Sequence, residues 1–172
     1  MTLPSIDLGL MSEHLAAHEG IIHKLENYLS KVTSTELRET IDLQVNVMRA
    51  HVKVMLMLIN PYLHEYVVVP PLSTHKSNHG PQANTMEQNL KNKPIALEAR
   101  STAKSMANEN FTSALFMKNH NVKQAHIEMA LQQVTIQEKY NEYIKKMGWA
   151  FVPYASLQEQ IHTYQNYQRM LI

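Results

Sequence analysis

Cysteine is absent from the 172 residues of this sequence, and glycine occurs only four times. The first absence excludes disulfides, cysteine-based zinc sites and thiol catalysis, so histidine and carboxylate remain as the strong metal ligands. The second leaves little material for tight turns or phosphate-binding loops, since an average protein has about 7% glycine. Together they favour a helical protein whose ten histidines are the side chains to consider for a site.

Charge of one sign and long apolar runs are missing as well. Sixteen Lys and Arg balance fifteen Asp and Glu, and no basic cluster is present that would follow a nucleic-acid backbone or an anionic membrane. No run of about 18 apolar residues occurs, and the N-terminus MTLPSIDLGLM lacks a basic region, so we expect neither a membrane span nor a signal peptide. We do not expect nucleic acid as a partner. The length fits one domain over residues 1–172.

Apolar residues repeat at spacings of three and four along four long segments, which predicts four helices and an all-α fold class. We expect these helices at about 12–32, 34–59, 94–118 and 122–147, followed by a short C-terminal helix at about 156–168. The expected helix starts are Ser12, the capping pair Thr33 and Glu36, and Pro94, and the expected end of the fourth helix is Gly148.

The segment between the second and third predicted helices, residues 61–93, holds four of the seven prolines and clustered asparagine, serine and histidine, which predicts an extended connection. Fully extended it could reach about 100 Å, whereas a helix of about 22 residues is only about 33 Å long. It can therefore cross the whole length of a bundle, as in a ferritin-like four-helix bundle with one long crossover. The alternative is a flexible linker between two domains, which would leave each helical hairpin without a core.

Residues 96–154 carry a family resemblance, most clearly in the stretch YIKKMGWAFVPY at 143–154. There a tyrosine, then Gly148-Trp149 and Pro153, follow one another at the end of the last long helix. The stretch resembles the coat F family of spore coat proteins from endospore-forming bacteria. This resemblance implies a ferritin-like fold and a structural role with no established reaction. It also implies synthesis in the mother-cell cytoplasm, deposition in the spore coat, and other coat proteins or further copies of the chain as partners.

A di-iron centre would need about four carboxylates and two histidines inside the bundle. At about 100° per residue, the glutamates of the first, third and fourth helices fall off the apolar faces. Met48 stands three residues before His51, where a ligand glutamate would be expected. We therefore predict no catalytic residues and no di-iron cofactor. The glutamates concerned are Glu19, Glu26, Glu98, Glu109, Glu128, Glu138 and Glu142.

Four histidines instead fall on or beside the inward faces, at similar heights along the bundle. His14 and His18 lie one turn apart on the first helix, His51 borders the apolar stripe of the second, and His126 that of the fourth. If the third helix runs parallel to the second, His126 and Asn110 reach the same level as the other three histidines. Two interpretations stay open: a zinc- or copper-type metal site made by these four histidines, or a layer of hydrogen-bonded polar side chains.

The C-terminal segment YASLQEQIHTYQNYQRM is rich in tyrosine and glutamine. We expect a short amphipathic helix that closes the end of the bundle through Leu157, Ile161 and Tyr164. The other interpretation is a surface for self-association, with Tyr and Gln available for cross-linking, as the resemblance implies. The sequence therefore predicts a non-catalytic structural protein of the spore coat. The alternatives are a metal-binding ferritin-like protein and an interaction or stress module on the same fold.

Overall fold

The computed structural model describes residues 2–72 and 85–171, without the side chains of 86–89. These residues form helices and connections and contain no strand, which confirms the predicted all-α class. The helices are α1 (Ser5–Leu29), α2 (Thr35–Ile59), α3 (Met86–Phe116), α4 (His120–Lys146) and α5 (Leu157–Gln168), and α5 runs into a 3-10 turn at Arg169–Leu171. Within the described part of the chain, no helix is both long enough and apolar enough to cross a membrane.

The four long helices pack as a bundle in which neighbouring helices are antiparallel. Short turns join α1 to α2 and α3 to α4, and α1 also packs on α3 while α2 packs on α4. His14 contacts Ser113, and Lys24 contacts Thr102, so α1 and α3 run in opposite directions. Because α2 is also antiparallel to α1, α2 and α3 are parallel and their connection must cross the bundle. This is the connectivity of bundles with one long crossover.

The described part of the crossover lies extended along α4. Val67 and Val69 are buried, and the side chain of Asn121 both donates to the Val67 carbonyl at 2.7 Å and accepts from its N–H at 2.8 Å. Gln132 of α4 donates to the carbonyl of Pro70 at 2.7 Å. This part of the segment is thus fastened to α4. Residues 73–84 of the predicted crossover lie outside the described residues.

The first helix begins two turns earlier than predicted. It starts at Ser5, so Ser12 lies inside the helix and is not its cap. Asp7 explains the early start, because this buried side chain accepts the N–H of Lys118 at 2.8 Å and of Asn119 at 2.7 Å. The tertiary contact with the turn between α3 and α4 holds the first turn of α1 in helical form.

The third helix also begins earlier, at Met86, so Pro94 lies inside α3 and not in its first turn. Pro94 is exposed, and the residues before it are anchored by the buried Asn92, whose Oδ1 accepts the N–H of Thr33 at 3.1 Å. This contact occupies Thr33, and the cap of α2 is the next residue, Ser34. The predicted capping pair at the start of α2 is therefore wrong by one position.

The C-terminal segment leaves the bundle after Gly148. This glycine has φ 69°, and the N–H of Trp149 donates to the Ile144 carbonyl, which ends α4 as predicted. The Trp149 ring packs edge-on against Tyr143, with 5.8 Å between ring centres, and covers the end of the bundle. Every described residue from 150 to 171 is exposed. The prediction that α5 closes the bundle through Leu157, Ile161 and Tyr164 is therefore wrong.

Candidate functional site

Four histidines from three helices meet inside the bundle. His18, His51 and His126 are 0% exposed and His14 is 5% exposed. The ring centres lie 5.2 Å apart for His14 and His126, 5.8 Å for His18 and His51, and 6.2 Å for His14 and His18. The structure thus brings together all four predicted residues, which we call the histidine cluster. Asn110 of α3, expected at the same level, is also fully buried.

Two rings of the cluster are held by carbonyls of their own helices. Nδ1 of His18 donates to the carbonyl of His14 at 2.7 Å, and Nδ1 of His126 donates to the carbonyl of Val122 at 2.9 Å. A carbonyl can only accept, so in each ring the proton is on Nδ1. The other nitrogen, Nε2, therefore carries a free lone pair.

Side chains from α3 and α4 hold the remaining two rings. Nε2 of His51 lies 3.0 Å from Oε1 of Gln132, whose amide nitrogen is already committed to the Pro70 carbonyl. The oxygen of Gln132 therefore faces the ring and accepts the proton of Nε2, which leaves the lone pair of His51 on Nδ1. Nε2 of His14 lies 2.8 Å from the hydroxyl of Ser113, which can act as donor or acceptor.

The second ring nitrogen of each histidine is buried without a hydrogen-bond partner among the described protein atoms. These nitrogens are Nδ1 of His14, Nε2 of His18, Nδ1 of His51 and Nε2 of His126. Oδ1 of Asn110 is likewise buried without a hydrogen-bond partner. An unpaired buried polar group costs roughly 1–3 kcal/mol, and native proteins contain few. Such a concentration in one place marks this cluster as the candidate functional site.

Burial keeps the four imidazoles uncharged. Loss of hydration lowers the pKa of His18 to about 3, helped by the neighbouring His51, and lowers the pKa of His51 and His126 to about 4. The same cause lowers the pKa of His14. The hydrogen bond from His51 to Gln132 opposes this effect only in part. At neutral pH the cluster therefore presents lone pairs and not cationic rings.

None of the glutamates considered for a di-iron centre is buried. Glu26 is half-buried, and the other six glutamates considered for a di-iron centre are exposed. Among the described acidic residues only Asp7 is fully buried, and both of its oxygens accept backbone N–H groups. As the side chains stand, no three His, Asp or Glu groups of the described chain are arranged to hold a metal ion.

A cleft between α1 and α3 leads from the surface to the cluster. Its volume is about 350 Å³, and its lining includes His14 and Ser113. Glu13 and Glu109, which also line it, are exposed carboxylates on the two sides. The histidine cluster therefore has one edge at the wall of an acidic surface cleft.

A second group of buried polar side chains, which the sequence analysis did not predict, lies next to the cluster inside the bundle. The hydroxyl of Tyr140 donates to Oε1 of Gln44 at 2.8 Å, Gln44 donates to Gln133 at 3.3 Å, and Gln133 donates to the sulfur of Met48 at 3.2 Å. All four side chains are 0% exposed. A signal was present, because Gln44 lies three residues after Ile41 and four before Met48, within the apolar stripe of α2. Met48 thus accepts a hydrogen bond at the position where a ligand glutamate was considered.

The comparisons with known proteins concern both the sequence and the fold. Residues 91–154 match the Coat F domain. The fold is similar to the crystal structure of a candidate spore coat protein from Bacillus halodurans C-125, with a TM-score of 0.54 and 14% identity over 91% of this chain and 96% of that one. No curated protein matches the sequence. The resemblance to the coat F family is thereby confirmed over residues 91–154, from α3 through α4 to the stretch that includes Trp149 and Pro153.

Proposed function

We propose that this protein is a non-catalytic structural component of the bacterial spore coat. The observation that carries the proposal is the Coat F domain match over residues 91–154, which covers most of α3, all of α4 and the segment beyond. The shared fold with a candidate spore coat protein, over 91% of this chain, supports it. In this role the protein is made in the mother-cell cytoplasm and then deposited on the spore.

The interior of the bundle supports a degenerate ferritin-like scaffold without di-iron chemistry. Oxygen-activating iron centres of this bundle type are built from glutamates that project inward on all four helices. Here none of the corresponding glutamates is buried, and the polar side chains at the level of the histidine cluster and just beyond it are imidazoles, amides and the thioether of Met48. Such groups provide no carboxylate bridge between two iron ions. The scaffold therefore serves as a rigid body and not as an oxidase.

The exposed C-terminal segment supports a role in assembly. Tyr154, Tyr164 and Tyr167 are 91%, 63% and 65% exposed, and four glutamines of α5 are exposed with them. Tyrosine and glutamine side chains can form many hydrogen bonds and are substrates for covalent cross-linking. We infer that residues 150–171 are the contact surface toward other coat proteins or further copies of this chain.

The coat assignment is tested by following the protein through sporulation. An antibody against the bundle should detect it in coat extracts of purified spores and not in growing cells of the same endospore-forming host. An antibody avoids a tag that could block the C-terminal segment. Equal amounts in growing cells, with none in spore extracts, would contradict the assignment.

Deletion of residues 155–172 separates assembly from folding. Because every described residue of α5 is exposed, the deletion should change the melting temperature by less than about 2 °C. A loss of about 1 kcal/mol in the free energy of unfolding would lower the melting temperature by more than this. Incorporation into the spore coat should be lost. As a matched control, Trp149→Ala removes a ring that covers Tyr143 and should lower the melting temperature by several degrees. A large drop on deleting the tail would instead show that α5 packs on the bundle.

A further inference from the structure

We propose that the histidine cluster is a binding site for a single tetrahedral transition-metal ion of the zinc and copper(I) class, with His14, His18, His51 and His126 as ligands. This inference does not rest on the coat function. Two imidazoles on one tetrahedral ion have ring centres about 5 Å apart, given metal–nitrogen bonds of about 2.0 Å. The three neighbouring pairs of the cluster, His14–His126, His18–His51 and His14–His18, have ring centres 5.2, 5.8 and 6.2 Å apart. The rings are therefore neighbours, and binding one ion requires them to rotate toward a common point, since they are not arranged for it as they stand.

The hydrogen bonds around the cluster have the pattern of a metal site. Ligand histidines generally donate the proton of one ring nitrogen to a carbonyl or a carboxylate, which fixes the ring and leaves the other nitrogen for the metal. His18 and His126 donate to backbone carbonyls, and His51 donates to Gln132. In each of the three, the nitrogen left over is the buried one without a partner. Hydrogen bonding among the four rings does not account for these lone pairs, because no ring proton is directed at them.

The chemistry of the donors selects the class of ion. Neutral imidazoles suit zinc and copper, whereas magnesium, calcium and manganese prefer carboxylate and carbonyl oxygens. The unpaired nitrogens of His18, His51 and His126 already carry lone pairs, so an ion binds there without displacing a proton. A hard divalent cation finds no comparable set of oxygen ligands in the cluster.

The cleft between α1 and α3 provides a route to the cluster. Glu13 and Glu109 on its walls attract a cation from solution, and His14 lies at its inner side as the least buried ring of the four. From His14 the neighbouring rings are His126 and His18, and His18 in turn contacts His51. An ion that enters by the cleft therefore meets the four ligands in succession.

The test uses the purified full-length protein after treatment with a chelator. Titration with Co²⁺ should give the intense visible bands of a tetrahedral nitrogen site, saturating at one ion per chain. Zn²⁺ should abolish these bands and raise the melting temperature at pH 7, whereas Mg²⁺ should do neither. The absence of visible bands, together with an unchanged melting temperature in Zn²⁺, would overturn the proposal.

Variants locate the site within the chain. His51→Leu and His126→Leu replace buried rings by apolar side chains that fill similar space, and each should weaken Zn²⁺ binding by at least about 100-fold. His23→Leu on the exposed side of α1 and His162→Leu on α5 are the matched controls and should bind like the parent. Circular dichroism confirms that each variant is folded. Unchanged affinity in His51→Leu and His126→Leu, or loss in the controls alone, would place the ion at the surface and refute the site. Neither result bears on the presence of the protein in spores.

Discussion

Acidification from pH 6.5 to about 4 is expected to lower the stability of the metal-free protein strongly. His18, His51 and His126 have pKa values of about 3, 4 and 4 in the folded chain, because burial disfavours the charged ring. In the unfolded chain each returns to about 6.5. Between these values the unfolded state binds more protons than the folded state, so stability is present above pH 6.5 and is lost as the pH falls.

The magnitude of this loss is large for one domain. A pKa that falls from 6.5 to about 4 corresponds to roughly 3 kcal/mol for each histidine. Even one such group is a large fraction of the stability of a typical domain, about 5–15 kcal/mol. The charged groups that act on the cluster are Asp7, which favours protonation of His126, and Glu13, which favours protonation of His14. Both lie on α1 and reduce the effect without reversing its sign.

Urea unfolding at several pH values between 7 and 4, with chelator present, measures this dependence. The triple variant His18→Leu, His51→Leu and His126→Leu is the control, because it removes the titrating rings and leaves the exposed carboxylates. Its stability should vary far less between pH 6.5 and 4.5 than that of the parent, since His14 is the one ring of the cluster that remains to titrate. The same pH slope in the triple variant would contradict the assignment of the effect to the cluster.

The crossover topology could be predicted from the sequence because its signal is local and strong. Proline and asparagine accumulate over residues 61–93, between two hairpins that each present one apolar face. The partners of this segment could not be predicted. Asn121 and Gln132 bind Val67 and Pro70 because the register of the crossover along α4 places them in reach. The register between two distant segments cannot be predicted from the periodicity of apolar residues in the sequence.

Much of the histidine cluster could also be predicted. Helix periodicity fixes the side of the helix on which a residue lies, and its distance from the turn fixes its level along the bundle. His14, His18, His51 and His126 meet as their positions suggested. The tautomers could not be predicted, since they depend on which acceptor each ring finds. Gln132 is the clearest case, because it was not expected in the core and yet it fixes the proton of His51.

The helix starts were predicted less well because tertiary hydrogen bonds outweigh local capping signals. Asn92 extends α3 before Pro94, against the usual preference for proline in the first turn. Asp7 extends α1 past Ser12 in the same way. The predicted docking of the C-terminal helix was wrong, and at the end of the bundle Trp149 packs on Tyr143 instead.

Asp7→Ala is expected to lower the free energy of unfolding by about 3–5 kcal/mol at pH 7. Its two oxygens accept the N–H groups of Lys118 and Asn119, at 2.8 and 2.7 Å, from a side chain that is 0% exposed. Alanine leaves both donors without a partner, at roughly 1–3 kcal/mol each. Asn119 is itself the cap of α4, where its side chain accepts from Asn121 and Val122. The loss therefore reaches the start of that helix as well.

Urea unfolding of three variants measures the effect. Asp7→Asn keeps one acceptor oxygen and should fall between the parent and Asp7→Ala. Asp42→Ala removes an exposed aspartate of α2 that only accepts from Asn46, and should change stability by less than about 0.5 kcal/mol. Equal losses in Asp7→Ala and Asp42→Ala would show that the buried contact contributes nothing. Amide hydrogen exchange adds a local measurement: if Asp7 sets the start of α1, exchange in Asp7→Ala should rise sharply over residues 8–12 and remain slow around Leu25. Uniform exchange would instead mean that the residues after Pro4 form a helix without this contact.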